Sequence, residues 1–231
     1  MKNRMVILGL LALVLLIAAC VPAPQIRNDK LLRDTSLLSG EPCRAPCWRG
    51  ITPGVTTWRE AQNIIEDTAE FTKIEVRTDD ESDAAQITWQ QGEDGQSCCV
   101  IVSETQQTAD RLFLQLAPEI TMAQMTAEYG EPTYAVGAEV TKDQAVINLV
   151  YPEYAMVAYA FVAGAETGAI SAESEIVGVL FVTSDDMELL LQTSSLHNWE
   201  GYQAYSAYTP DEDEATFDVT PSITLTPEDN E

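Results

Sequence analysis

The sequence predicts an α+β fold: two repeats of a helix followed by a four-stranded antiparallel meander, with the helices packed on one face of the sheet. Three observations carry that reading. The lead-in ITPGVT (51–56) returns as LAPEIT (116–121) at an offset of 65 residues, with Pro53 matched by Pro118, Val55 by Ile120 and Thr56 by Thr121. A helix start follows each copy, because Thr57 with Glu60 and Thr121 with Gln124 fit the S/T-x-x-E/Q capping box. After each helix come four short segments rich in β-branched and aromatic residues. Helix-then-strands, met twice in one order, reads as an internal repeat.

The elements follow in order. In the first helix Trp58, Ala61, Ile64 and Ile65 fall on one face. Strands are expected at 71–77, 84–91, 97–104 and 111–117, separated by the acidic or Gly-containing turns DDESD and GEDGQ. The second helix sets Met122, Met125 and Tyr129 on one face and stops at Gly130 and Pro132. Strands at 133–140, 144–151, 154–163 and 176–183 complete the second repeat, so the repeats occupy about 51–117 and 116–183. SDDMELLLQ then reads as a helix with Ser184 at its cap and acids in its first turn, where the helix dipole favours them. HNWEGYQAYSAY (197–208) is expected to dock Trp199 and Tyr202 onto the domain. From Pro210 the chain has eight acids and no base in 22 residues, too little apolar surface to fold; 209–231 is expected to be a disordered acidic tail.

The first residues give the compartment. Lys2 and Arg4 precede an apolar run from Met5 to Ala19, a charged n-region and an h-region of secretory length. Ile17-Ala18-Ala19-Cys20 resembles the lipobox of bacterial lipoproteins. That resemblance implies a signal peptide over 1–19, cleavage before Cys20, and a diacylglycerol (palmitate in type) on its sulfur as membrane anchor. Ordinary cleavage with a free Cys20 thiol, or an uncleaved anchor, are the readings set beside it. Residues 20–42 read as a tether carrying the lipid, and 43–208 as the domain, with 184–208 its C-terminal helix and docking segment. The domain is therefore expected at the cell membrane, facing away from the cytoplasm.

Charge excludes some partners. Removing 1–19 takes away Lys2 and Arg4 and no acid, so the −25 of the full chain becomes −27. Nucleic acid, which needs a basic footprint, is excluded as a partner. Anionic headgroups repel the chain, so a lipid must hold it at the membrane.

Export makes Cys43, Cys47, Cys98 and Cys99 disulfide candidates, with three pairings open. The turn-rich PCRAPCW favours Cys43 with Cys47. Adjacent residues of a strand point to opposite faces, so Cys98 and Cys99 are each expected to be buried separately, or one to reach the 43–47 segment. A vicinal pair suits four-Cys zinc poorly, and no metal or cofactor is expected.

Chemistry is sparse. The sole histidine, His197, reads as a packing residue. No G-x-S-x-G elbow, H-E-x-x-H helix or P-loop occurs, and the acidic runs 79–83 and 211–214 lack the spacing of an EF-hand loop. Trp48, Trp89, Tyr151, Tyr154 and Tyr159 are the aromatics expected to line a binding face, while Trp58 reads as core.

The repeated lead-in, the helix-then-sheet order and the YGEP exit at 129–132 resemble the β-lactamase-inhibitory-protein-like fold and the SmpA/OmlA-type assembly lipoproteins. PCRAPCWRGITPGVTTW is similar to lipoproteins of Chloroflexi-type bacteria that carry no assigned activity. These resemblances imply a sheet that binds another protein or peptide, with no catalytic residues. The expectation is therefore a non-enzymatic, lipid-anchored binding or structural module of the cell envelope. The alternative is an extracytoplasmic glycan hydrolase using two carboxylates.

Overall fold

The computed structural model describes residues 26–79, 81–164 and 167–209. The signal segment, Cys20 and the acidic tail from Pro210 lie outside the described residues.

The expected pair of helix-plus-meander units is not what forms. The chain builds one nine-stranded antiparallel sheet in the order β1-β2-β3-β4-β8-β7-β6-β5-β9. Its strands are β1 (Phe71–Thr78), β2 (Ala85–Gln91), β3 (Ser97–Ser103), β4 (Arg111–Thr121), β5 (Tyr134–Thr141), β6 (Gln144–Tyr151), β7 (Met156–Ala163), β8 (Glu175–Phe181) and β9 (His197–Asn198). The helices are α1 (Ser36–Ser39), α2 (Trp58–Glu66), α3 (Met122–Tyr129) and α4 (Ser184–Thr193). None exceeds ten residues, too short to roof nine strands. The groups β1–β4 and β5–β8 merge because β4 pairs with β8, Leu112 to Gln115 facing Phe181 to Gly178.

Local chemistry explains the helix ends. Both capping boxes are formed: the Glu60 and Gln124 amides donate to the Thr57 and Thr121 hydroxyls, and the side chains reciprocate. At α4 the cap is Thr183 rather than Ser184, its hydroxyl accepting from the Asp186 amide at 3.0 Å.

Residues that pair across strands share a face, so the ladders sort the core. Trp89–Cys99–Leu114–Val179–Ala158–Leu149–Ala135 form one row of the larger cluster. That face is covered by α2 and α3, through Trp58, Ala61, Ile65, Met122, Met125 and Tyr129, and by less regular chain carrying Leu31, Leu32, Trp48, Ile51, Tyr205 and Tyr208.

Residues 26–42, expected as a tether, are instead folded down as a strap across one end of the sheet. The Ile26 amide donates to Gln144 Oε1 at 3.1 Å. Arg27 pairs with Glu175 and lies over the Phe161 ring. Leu32 bridges Leu116: its amide donates to the Gln115 carbonyl and its carbonyl accepts from Ala117. It does so where the β4–β8 register breaks between Gln115 and Ile120, so the strap supplies the partner that β8 does not. Burial of Leu31, Leu32 and Leu37 contributes about 2 kcal/mol each, which a free tether forgoes.

Candidate functional site

The opposite face is covered only in part. One row of paired residues runs Glu75–Thr88–Val100–Phe113–Leu180–Val157–Val150–Tyr134. Over the β5–β8 half, Met187 and Leu190 of α4, with Leu191 and Leu196, pack on Val146, Val150, Val157 and Val177. Over the β1–β4 half the row is more open: Glu75 is exposed and Thr88 and Val100 are half-buried, as is Leu180 on the adjoining β8. The neighbouring row, Arg77–Gln86–Val102–Arg111, is likewise half-buried or exposed.

This half-face has an apolar strip with polar borders. Phe113, 8 % exposed, anchors the strip and meets Tyr159 edge-on, ring centres 5.6 Å apart. Gly178 makes room for that pair, since a Cβ there would stand 3.4 Å from both rings and 3.2 Å from the Leu114 carbonyl oxygen. At one end Arg111 bridges the β3–β4 connection to α4, its Nε donating to Asp186 Oδ2 at 3.0 Å and its guanidinium pairing with Glu104. Burial lowers the Arg111 pKa, but Asp186 and Glu104 outweigh it and the net shift is upward. Asp110 closes the same connection, accepting from the Thr108 hydroxyl and the Glu104 amide. The half-face thus offers Val100, Val102 and Leu180 for apolar contact, seated on buried Phe113, and Gln86 and Thr88 for hydrogen bonds, between Arg77 and the Arg111 cluster.

The aromatics expected on a binding face lie elsewhere. Trp48 and Trp89 are each 1 % exposed and stack on one another with Phe71 beside them, all within the larger cluster. Tyr151 is buried there too, and Tyr154 is half-buried with its ring edge-on to Tyr129 at 5.1 Å. Tyr159 points to the opposite face but is buried beneath it. The reason is area: large rings fill the gap between a sheet and thin, irregular cover. The residues that do line the half-face, Thr88, Val100 and Phe113, were signalled only by strand alternation.

Both cysteine pairs stand at disulfide distance. Cys43 and Cys47 have their sulfurs 2.09 Å apart and Cα atoms 5.6 Å apart. Cys98 and Cys99 also bond to each other, contrary to the expectation that they face opposite ways. The cause is a β-bulge: Trp89 pairs with Cys99 and Gln90 with Ser97, leaving Cys98 as the extra residue, so the alternation fails there. Both are buried in the larger cluster.

His197 sits on β9, paired with Ala135, with no carboxylate hydrogen-bonded to it among the described residues. Among the described residues no group of three or more His, Cys, Asp or Glu could hold a metal. No helix among them is long and apolar enough to cross a membrane. The sequence matches no family model, no curated protein and no solved structure.

Proposed function

We propose that the protein is a lipid-anchored, extracytoplasmic binding module of the bacterial envelope that engages a protein or peptide partner through the open β1–β4 half-face. The observation that carries this reading is the row Thr88–Val100–Phe113–Leu180, in which half-buried Thr88, Val100 and Leu180 leave part of the sheet open around the buried Phe113 ring. An apolar centre with a polar, charged border is the anatomy of a protein interface. Anchoring is supported by Ile17-Ala18-Ala19-Cys20 behind a charged n-region, and by a net charge that gives no attraction to an anionic surface.

A photo-crosslinking residue at Val100 tests the binding reading in intact cells. A discrete adduct is expected, lost when Thr88→Arg blocks the strip, while the same probe at exposed Leu189 gives none. Equal adducts from both positions would refute it. Anchoring is tested separately: Cys20→Ala should abolish acyl labelling and leave an uncleaved precursor, and high salt should fail to release the wild type while detergent does. Release by salt alone would overturn the anchor.

A further inference from the structure

The strap fixes which end of the domain meets the bilayer, an inference that rests on the lipid anchor proposed above. From Ile26 onward the chain is held: Ile26 on Gln144, Arg27 on Glu175, Asn28 on Gln96, and the Lys30 carbonyl accepting from the Gln96 amide at 2.9 Å. Gln144 begins β6 and Glu175 begins β8, and both lie at the end of the sheet where β7 ends at Ala163 and β4 at Thr121. Call this the strap end. The far end carries the β1–β2 and β3–β4 connections and the turn at Pro152–Tyr154.

Six Cα–Cα steps separate Cys20 from Ile26, at most about 3.6 Å each and about 22 Å together, whatever their conformation. The eight residues of β6, Gln144–Tyr151, lead away from Ile26 over about 24 Å. The turn at Pro152–Tyr154 adds to that height. An inverted domain, standing on its far end, would lift Ile26 beyond the reach of a lipid on Cys20. Charge does not make the choice. The strap end mixes Lys30, Arg33 and Lys142 with Glu93, Asp94, Glu119 and Asp143, and the far end carries Glu81, Asp83, Glu104 and Asp110 beside Arg77 and Arg111. Both ends are rich in acid, so covalent reach decides.

We infer that the strap end, formed by the β5–β6 turn, residues 167–174 before β8 and residues 26–33, is the surface apposed to the lipid headgroups, and that the far end projects outward. The open half-face then stands beside the bilayer with its Glu104–Arg111–Asp186 border outermost.

The test couples Cys20 of the chain beginning at that residue to a maleimide lipid in phosphatidylcholine vesicles carrying a headgroup quencher. A fluorophore is placed by click chemistry at exposed Glu173 (strap end) or exposed Thr105 (far end). Several-fold stronger quenching at 173 is expected, unchanged by high salt, and a twenty-residue Gly-Ser insertion after Pro24 should erase the difference. Equal quenching with the native spacer, or stronger quenching at 105, would overturn the orientation. Because the lipid is attached chemically, this outcome is independent of whether cells acylate Cys20; the mass of the protein extracted from native membranes decides that separately.

Discussion

At Asp34 a single side chain organises the first fold of the strap. Its carboxylate, 2 % exposed, accepts from Trp48 Nε1 at 2.9 Å, Arg49 Nε at 3.1 Å and the Ser36 amide at 2.6 Å. Arg49 reaches it because Arg49 (φ 50°) and Gly50 (φ 89°) form a two-residue turn closed by reciprocal Trp48–Ile51 backbone bonds. From there the guanidinium covers the Trp48 and Phe71 rings and pairs with Glu70. Asp34→Ala leaves a buried indole N–H unpaired and is expected to lower the unfolding free energy by about 3 kcal/mol, with Asp34→Asn losing less; urea denaturation measures both. The Trp48 and Arg49 contacts were not legible in the sequence, because those partners lie 14 and 15 residues from Asp34 with no periodicity between them. A second residue-scale prediction concerns alkali. Burial lifts the Tyr129 hydroxyl to about 12, with Glu128 adding to the rise and Arg44 opposing it, and burial pushes Tyr151 up as well. A raised tyrosine pKa favours the neutral form in the folded state. That contribution is whole below the unfolded value of about 10 and is lost as pH climbs from there toward 12. The urea midpoint should therefore fall over that window, and Tyr129→Phe should flatten the decline. An unchanged slope in that variant would exclude Tyr129 as its source.

Elements were read with uneven success, and the pattern has a physical basis. Signals confined to four residues, such as the capping boxes at Thr57 and Thr121, survive into the structure because their partners are local. Strand alternation survives in stretches such as β2 and fails at register shifts, among them the bulge that inserts Cys98 and puts two neighbouring thiols together. What alternation does not encode is which strand lies beside which, and the β4–β8 junction that fuses the sheet joins residues some 65 apart in the chain. The edge strand β1 ends the sheet with Glu75, Val76, Arg77 and Thr78 exposed and a register shift at Lys73, the charges and irregularity that discourage pairing with another chain. At the other side Gly137 of β5 lies against the ring of Tyr205, which is buried; a Cβ at 137 would stand 2.7 Å from Tyr205 Cε2. Gly137→Ala is expected to cost about 2 kcal/mol by thermal or urea unfolding. Adding Tyr205→Ala should cost less than the sum of the two single changes, since the clash goes with the ring.

For the whole molecule, the part written in composition is the acidity, a net charge of −25 that the sequence states directly. The parts that were not legible there are those that depend on closure, above all the strap, whose leucines at 31, 32, 37 and 38 follow neither a helical nor a strand period. That strap has a consequence in time. Arg27 meets Glu175 across 148 residues and Ile26 meets Gln144 across 118. A chain delivered from its N-terminus therefore presents Ile26 and Arg27 long before the Gln144 and Glu175 groups that hold them. Hairpins such as β1–β2 can pair as they emerge, and Leu32 can meet β4 once Ala117 is out, but the β4–β8 seam stays open until Glu175 has cleared the exit. Contacts of such long separation are the slow ones to form. Ile26 and Arg27, the first residues of the sheet's cover, are thus among the later ones to settle, held only once strands far along the chain are in place.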